Sequence, residues 1–321
     1  MKNEIRILKS AEVKAMLPPR KAVSNKGTYG KAAILAGSMR YSGAAVLAAQ
    51  GALCGGAGYV ALCVPKRLKI ALIGSLPEAI LLDLCPGGEW KFRPKNLRSI
   101  LQYNSIAAGM GMGNTKNTAK IIAFLLKNYE GKLLIDADGI NAFACFYGAN
   151  GSAEFFKAKK CAALITPHPL EFARLTGSDN TALSENDGER AIEEAKKYAA
   201  ENGVTVLLKG VSGAKTLIVG GENGETGENG ETGKNGENAE KAENIALNAT
   251  GNSGQAKGGS GDTLAGLIAA IAASGADLFS AACAGAYLAG KAAEIAVKQT
   301  SEYALTATKI AEYIGKAILD L

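Results

Sequence analysis

Aromatic residues are scarce in this 321-residue chain, at 6% of the total, and no cluster of Lys and Arg is interleaved with them. That argues against a nucleic-acid surface, which needs stacking platforms set in a basic field. No uncharged apolar run reaches the length of about 18 residues that a membrane span needs. The N-terminus, "MKNEIRILKSAEVKAMLPPR", lacks the apolar core of a signal peptide. Six cysteines, at 54, 63, 85, 145, 161 and 283, form no CxxC pair, so core thiols in a reducing cytoplasm are expected rather than disulfides or a zinc site.

The charge that is present is unevenly spread. Seven glutamates and two lysines between 221 and 243 give that stretch −5, which leaves the rest of the chain near +11 against a whole-chain +6. A basic body suits phosphate-bearing ligands. The acidic stretch, a near-repeat of "GENGET", has no apolar residue to anchor it and reads as an expanded, solvated hairpin connection.

Elsewhere short apolar runs alternate with longer amphipathic ones. Residues 31–37, 59–64, 105–111, 132–138, 161–167 and 204–210 read as buried strands; 43–57, 116–129, 168–176, 187–201, 261–274 and 279–298 read as helices. Strands apolar on both faces and separated by helices predict a mostly parallel sheet in an α/β/α sandwich. Residues 1–24 are expected to pack on a single domain spanning 25–321, with the insertion at 221–243.

The stretch "GNSGQAKGGSGDTLAGLIAA" (251–270) places one acid, Asp262, among glycines at the start of an apolar helix. Such a loop offers free amides and a positive helix end to an anion. Asp262 could simply cap that helix, but a cap needs no run of Gly258, Gly259, Ser260 and Gly261 before it. The loop also lacks the Gly-Lys-Ser/Thr ending of a Walker A sequence. An anion hole beside a carboxylate fits phosphoryl transfer, with the acid taking the proton of an attacking hydroxyl.

"GNSGQAKGGSGD" resembles the GxGD signature of ribokinase-like enzymes, and more narrowly the TGN(P/S)GMA(T/K)GGSGD run of the NAD(P)H-hydrate dehydratases. "LPPRKAVSNKGTYG", "SGAAVLAAQGALCGGAGYV", "GMGMGN", "DADGIN", "ITPHPLEFARLTG" and "VLLKG" resemble further motifs of that family, in order, from about residue 18 to 300. The resemblance implies a ribokinase-like fold and dehydration of (6S)-NADHX or (6S)-NADPHX. ADP, or less favourably ATP, would donate the phosphoryl group, with Mg²⁺ as companion. Asp262 is the implied base and substrate contact, and Ala44, Gly113 and His168 are further implied substrate contacts. Lys209, Gly210, Val211, Ser212, Gly213 and Gly261 are implied for the nucleotide, with Lys215 and Thr216 less certain because "KGVSGAKT" is longer than the family's loop.

Taken on their own residues, these motifs leave alternatives. His168, the only histidine, lies between Pro167 and Pro169 at a strand end, where a structural role is as plausible as a ligand-binding one. Lys209 ends a buried strand, and a lysine can reach solvent there. "GMGMGN" has Asn114 where the third glycine of a dinucleotide fingerprint belongs. Asp136 and Asp138 fall at a strand end and are expected to point to opposite sides, either one a candidate for holding Mg²⁺ through water. Asn25 replaces the family's HKG histidine and Gln255 its GMA methionine. A ribokinase-like kinase of a vitamin or sugar is the alternative activity, and a non-catalytic nucleotide sensor is disfavoured by the intact acid. A separate epimerase, or spontaneous interconversion, is expected to supply the S epimer, since the chain has no room for an epimerase domain. A homo-oligomer is expected, and alanine-rich helices such as 281–296 are candidates to pack against a partner subunit.

Overall fold

Strands that are apolar at every position can only be covered on both faces, and the chain builds its core accordingly. The computed structural model describes residues 5–178, 188–211, 215–221 and 244–321. Its strands are β1 (Arg6–Ile7), β2 (Lys31–Leu35), β3 (Tyr59–Pro65), β4 (Ile80–Cys85), β5 (Ser105–Ala108), β6 (Lys132–Ile135), β7 (Ala162–Ile165), β8 (Thr205–Val211), β9 (Lys215–Val219) and β10 (Ile245–Asn248). The helices are α1 (Ser10–Met16), α2 (Ser42–Cys54), α3 (Lys66–Leu72), α4 (Pro94–Leu97), α5 (Lys116–Asn128), α6 (Asp138–Lys157), α7 (Pro169–Thr176), α8 (Gly188–Asn202), α9 (Ser260–Ala273), α10 (Leu278–Val297) and α11 (Ala307–Leu319).

The sheet runs β1-β10-β9-β8-β7-β6-β5-β2-β3-β4. From β8 to β4 every pairing is parallel, while β9 lies antiparallel to both β8 and β10. Alternate strand residues feed two cores. Ile34, Leu134 and Leu207 meet α1, α2, α9, α10 and α11 on one face. Leu35, Ile135 and Val206 meet α5, α6, α7 and α8 on the other. This is the expected three-layer α/β/α arrangement.

The N-terminal residues enter the sheet itself: β1 pairs in parallel with β10, and Leu8 N donates to Leu247 O at 3.0 Å. Of the acidic stretch at 221–243, all but Gly221 lies outside the described residues. Its flanks are described: Gly220 N donates to Asn244 O at 2.8 Å, so the ends of β9 and β10 meet directly.

One expectation is overturned. The alanine-rich stretch 281–296 is not a free surface for a partner subunit, because Ala281, Ala282, Ala284, Ala292, Ala293 and Ala296 are fully buried within the chain. Their small side chains let α10 lie close against α9, α11 and the sheet, so the alanine run is core.

Candidate active site

The carboxyl ends of the parallel strands bring the residues singled out in the sequence to one edge of the sheet, where ligands bind in open α/β folds. There α9 begins at Ser260, with Gly259 as its N-cap at φ 98. That left-handed conformation suits glycine, and a Cβ there would lie 2.4 Å from Leu47 Cδ1 of α2. Asp262 is therefore the third helical residue and not the cap. Its carboxylate accepts no hydrogen bond among the described residues. Thr263 N reaches Gly259 O at 3.1 Å, whereas the Gly261 and Asp262 amides, earlier in the turn, have no backbone acceptor among the described residues. The cap alternative thus gives way to an uncommitted acid beside open amides.

The surroundings of that acid set its protonation. Burial pushes the Asp262 carboxyl up to about 7; the Asp136 carboxylate pushes the same way, the Lys209 ammonium opposes, and Asp138 adds to the rise. Such a group is poised to exchange a proton near neutrality.

Asp136, at the end of β6, is 1% exposed. Its Oδ1 accepts from Lys209 Nζ at 2.9 Å and from Thr166 Oγ1 at 2.8 Å. Burial disfavours the Lys209 charge, but Asp136, Glu171 and Asp262 outweigh it and hold the ammonium above its ordinary range. Lys209 N donates to Pro167 O at 2.9 Å, which ties the β8 end to the TPHP turn. The strand-end lysine is therefore paired inward, not reaching for solvent.

Asp136 and Asp138 do not diverge as expected. The backbone turns at Ala137, whose φ of 48 is the one positive value outside glycine among the described residues, and Asp138 already begins α6. Strand alternation stops applying at that turn. Both carboxylates bear on Asp262. Asp138 Oδ2 accepts from Gly113 N at 2.8 Å, which joins the GMGMGN turn to the site. Burial lifts the Asp138 carboxyl, the Gly113 hydrogen bond opposes, and Asp136 raises it further.

His168 has a structural part of its own. It is the N-cap of α7, with Nδ1 accepting from Glu171 N at 3.3 Å while Glu171 Oε2 accepts from His168 N at 3.0 Å. Its exposed ring also borders a cavity of about 610 Å³ that holds Lys209, Gly210, Gly258, Ser260 and Gly261. Both readings of the histidine are compatible with that position. Ala44 lies in the first turn of α2, one helical turn before Leu47 and on the same face, and a Cβ on Gly111 of the GMGMGN turn would lie 2.7 Å from its Cβ.

Of the remaining nucleotide candidates, Val211 is buried at the end of β8, and Ser212 and Gly213 lie outside the described residues. Lys215 is exposed, whereas Thr216 is in the cavity wall. The same wall includes Asn248, Thr250 and Asn252, which were not singled out beforehand. Asn248 and Thr250 are fixed to α10 through Ala286 O and Tyr287 O. The run "NATGN" just before the glycine loop was the available signal.

The two departures from the family pattern have different consequences. Asn25 caps the 3-10 turn Lys26–Tyr29, its Oδ1 accepting from Gly27 N at 2.8 Å. That turn meets Ser274 at the opposite end of α9, roughly 18 Å from Asp262 at the rise of a helix. Gln255 instead anchors the glycine loop: its Oε1 accepts from Asn252 N at 3.2 Å, and its Nε2 donates to Ala289 O.

Among the described residues no group of three or more His, Cys, Asp or Glu could hold a metal ion. Asp136 Oδ2 and Asp138 Oδ1 have no hydrogen-bond partner among those residues. This donor set fits Mg²⁺ carried on nucleotide phosphates and reached through water, not a protein cage.

A family model described as NAD(P)H-hydrate dehydratase matches residues 32–240 and 231–316. The ADP-dependent (S)-NAD(P)H-hydrate dehydratase of Neisseria meningitidis is 33% identical over 274 residues, covering 85% of this chain and 79% of that protein. The bifunctional NAD(P)H-hydrate repair enzyme of Moorella thermoacetica is 30% identical over 320 residues, covering 98% of this chain and 54% of that protein. The chain thus spans about half the length of the bifunctional relatives it matches. The structure of the ADP/ATP-dependent NAD(P)H-hydrate dehydratase of Bacillus subtilis, co-crystallized with ATP and Mg²⁺, aligns at a TM-score of 0.75 with 26% identity, covering 98% of each chain. The fold is ribokinase-like, and the chain belongs to the NAD(P)H-hydrate dehydratase family.

Proposed function

We propose that the chain dehydrates (6S)-NADHX and (6S)-NADPHX to NADH and NADPH, driven by a nucleotide. The observation that carries this reading is the uncommitted Asp262 carboxyl, poised near neutrality beside open helix amides and the charged Lys209. Asp262 takes the proton of the C6 hydroxyl as its oxygen attacks the terminal phosphorus of the nucleotide. The Gly258–Gly261 amides and Lys209 offset the charge that builds on the transferring group. The C6–O bond then breaks with electron push from the ring nitrogen, and phosphate leaves. The resulting iminium loses a C5 proton to the departing phosphate or to water, which restores the C5–C6 double bond of the repaired cofactor. With ADP the other product is AMP; with ATP it is ADP.

ADP is the favoured donor, because relatives from two bacteria carry ADP dependence in their names. Mg²⁺ would neutralise nucleotide phosphates, with Asp136 or Asp138 holding it through water. In this reading Ala44, Gly113 and His168 meet the hydrated nicotinamide, and Lys209 to Gly213 with Gly261 meet the nucleotide. The reaction belongs to the cytoplasm, where the cysteines stay reduced. A separate epimerase would convert the R epimer, and the protein is expected to self-associate through a surface other than 281–296.

The test is to supply chemically hydrated NADH with Mg²⁺ and either ADP or ATP, and to follow dihydronicotinamide absorbance. A rise with ADP, accompanied by equal amounts of AMP and phosphate, supports the reading. A stable phosphorylated alcohol, or no rise on folded protein that binds nucleotide, would overturn it.

A further inference from the structure

The two co-substrates must reach Asp262 from different directions. On the β8 side, the cavity with Lys209 and the glycine loop is the proposed nucleotide site. On the β2–β3 side, the chain leaves β2 through Met39, Arg40 and Tyr41 and enters α2, whose Leu47 abuts Gly259. Tyr41 and Ala44 sit directly on the GMGMGN turn: a Cβ on Gly111 would lie 2.8 Å from Tyr41 Cβ and 2.7 Å from Ala44 Cβ. That turn leads to Gly113 and its hydrogen bond to Asp138.

This rim has features that neither the fold nor the proposed chemistry uses. Met39 and Tyr41 are 51% and 45% exposed, although both are large and apolar. The Arg40 guanidinium lies over the Tyr41 ring at 5.3 Å from its centroid. Arg67, just after β3, flanks the same spot: a Cβ on Gly88 would meet Met39 at 2.5 Å and Arg67 Cδ at 3.7 Å. Neither guanidinium group has an ion-pair or hydrogen-bond partner among the described residues, and both side chains are exposed. Two unpaired guanidinium groups beside an apolar ledge, at the carboxyl ends of β2 and β3, match a phosphorylated ligand with a flat apolar part.

We propose that Arg40, assisted by Arg67, binds a phosphate group of the hydrated dinucleotide and sets the affinity for that substrate. The proposal rests on the dehydratase reading. Two phosphate sources fit one arginine: the pyrophosphate common to NADHX and NADPHX, and the 2′-phosphate present only on NADPHX.

The experiment measures kcat and KM for both hydrated cofactors, at saturating ADP, in the wild type, Arg40→Ala, Arg40→Lys and Arg67→Ala. Arg40→Ala should raise KM roughly tenfold or more, the loss expected for a charge-assisted contact, with kcat changed less than about twofold. Arg40→Lys should recover part of that loss, and the rise of wild-type KM with salt should flatten in Arg40→Ala. Equal loss on both substrates assigns the pyrophosphate; loss on NADPHX alone assigns the 2′-phosphate. Unchanged KM and salt dependence on both substrates, in variants that turn over normally, would overturn the proposal. Absence of turnover in the wild type would instead sink the dehydratase reading itself.

Discussion

Asp262 combines two effects of opposite sign on the same proton. Its folded pKa of about 7 lies above the unfolded value near 3.9. The native state therefore holds the proton more tightly, and this contribution to stability is full below about pH 4 and lost as pH rises towards 7. Catalysis needs the opposite form, since a base must be free of its proton. Asp262→Asn keeps the side chain's shape and removes the charge, so at pH about 8 its Tm should exceed the wild type's, with the gap closing below about pH 4. A lower Tm for the variant at the higher pH would contradict a destabilised carboxylate. Lys209→Met should behave differently. It strands the buried Asp136 carboxylate, so a stability loss of about 3–5 kcal/mol in denaturant titration is expected, together with weakened nucleotide binding. At this scale the sequence pointed to Asp262 and Lys209 through glycine content and strand ends. It could not reveal the Lys209–Asp136 pair, because 73 residues separate the partners and only the sheet order brings β6 and β8 ends together.

The glycine loop keeps its place because α9 is clamped to α2 at very short range. A Cβ on Gly266 would sit 1.8 Å from Ala48 O, and one on Gly51 would sit 2.0 Å from Thr263 O. Gly266→Ala should therefore cost roughly 1–3 kcal/mol and lower kcat, because α9 must shift and carries Asp262 with it. Gly315, exposed in α11 with nothing within 4 Å of its Cβ position, is the contrast. Gly315→Ala should stabilise by roughly 0.5–1 kcal/mol, leaving turnover unchanged. Melting curves and rates on both variants check the pair, and equal effects would contradict the clamp.

The central strands were legible from their apolar runs, but the runs overshoot where the chain turns into a site: 132–138 gives a strand only to Ile135. Helix α6 escaped notice because Gly139, Gly148 and Gly151 interrupt any period, and Gly148 adopts a φ of 68 within it. Helix α11 was not among the expected helices, although Thr306 as its cap and the amphipathic run behind it were signals for it. The edge strand β4 carries exposed and charged positions, including Asp83 paired with Lys69, so it lacks the signature of a buried strand.

For the whole molecule, the layered fold follows from alternating apolar runs, whereas the site follows from where their carboxyl ends converge. The acidic repeat stands outside that logic. Since Gly220 and Asn244 are hydrogen-bonded across the mouth of the hairpin, a short turn can join β9 to β10. Replacing 222–243 with such a turn should leave turnover and Tm essentially unchanged, and a large loss of rate would show that the repeat serves the site. The measurement that tests the central claim most directly is kcat/KM for hydrated NADH with ADP, from about pH 5 to about pH 9, on the wild type and Asp262→Asn. The wild-type value should climb through an apparent pKa near 7 and level off, and the variant should lose at least about a hundredfold with no such inflection. A variant that retains the wild-type rate and pH profile would show that another group takes the hydroxyl proton.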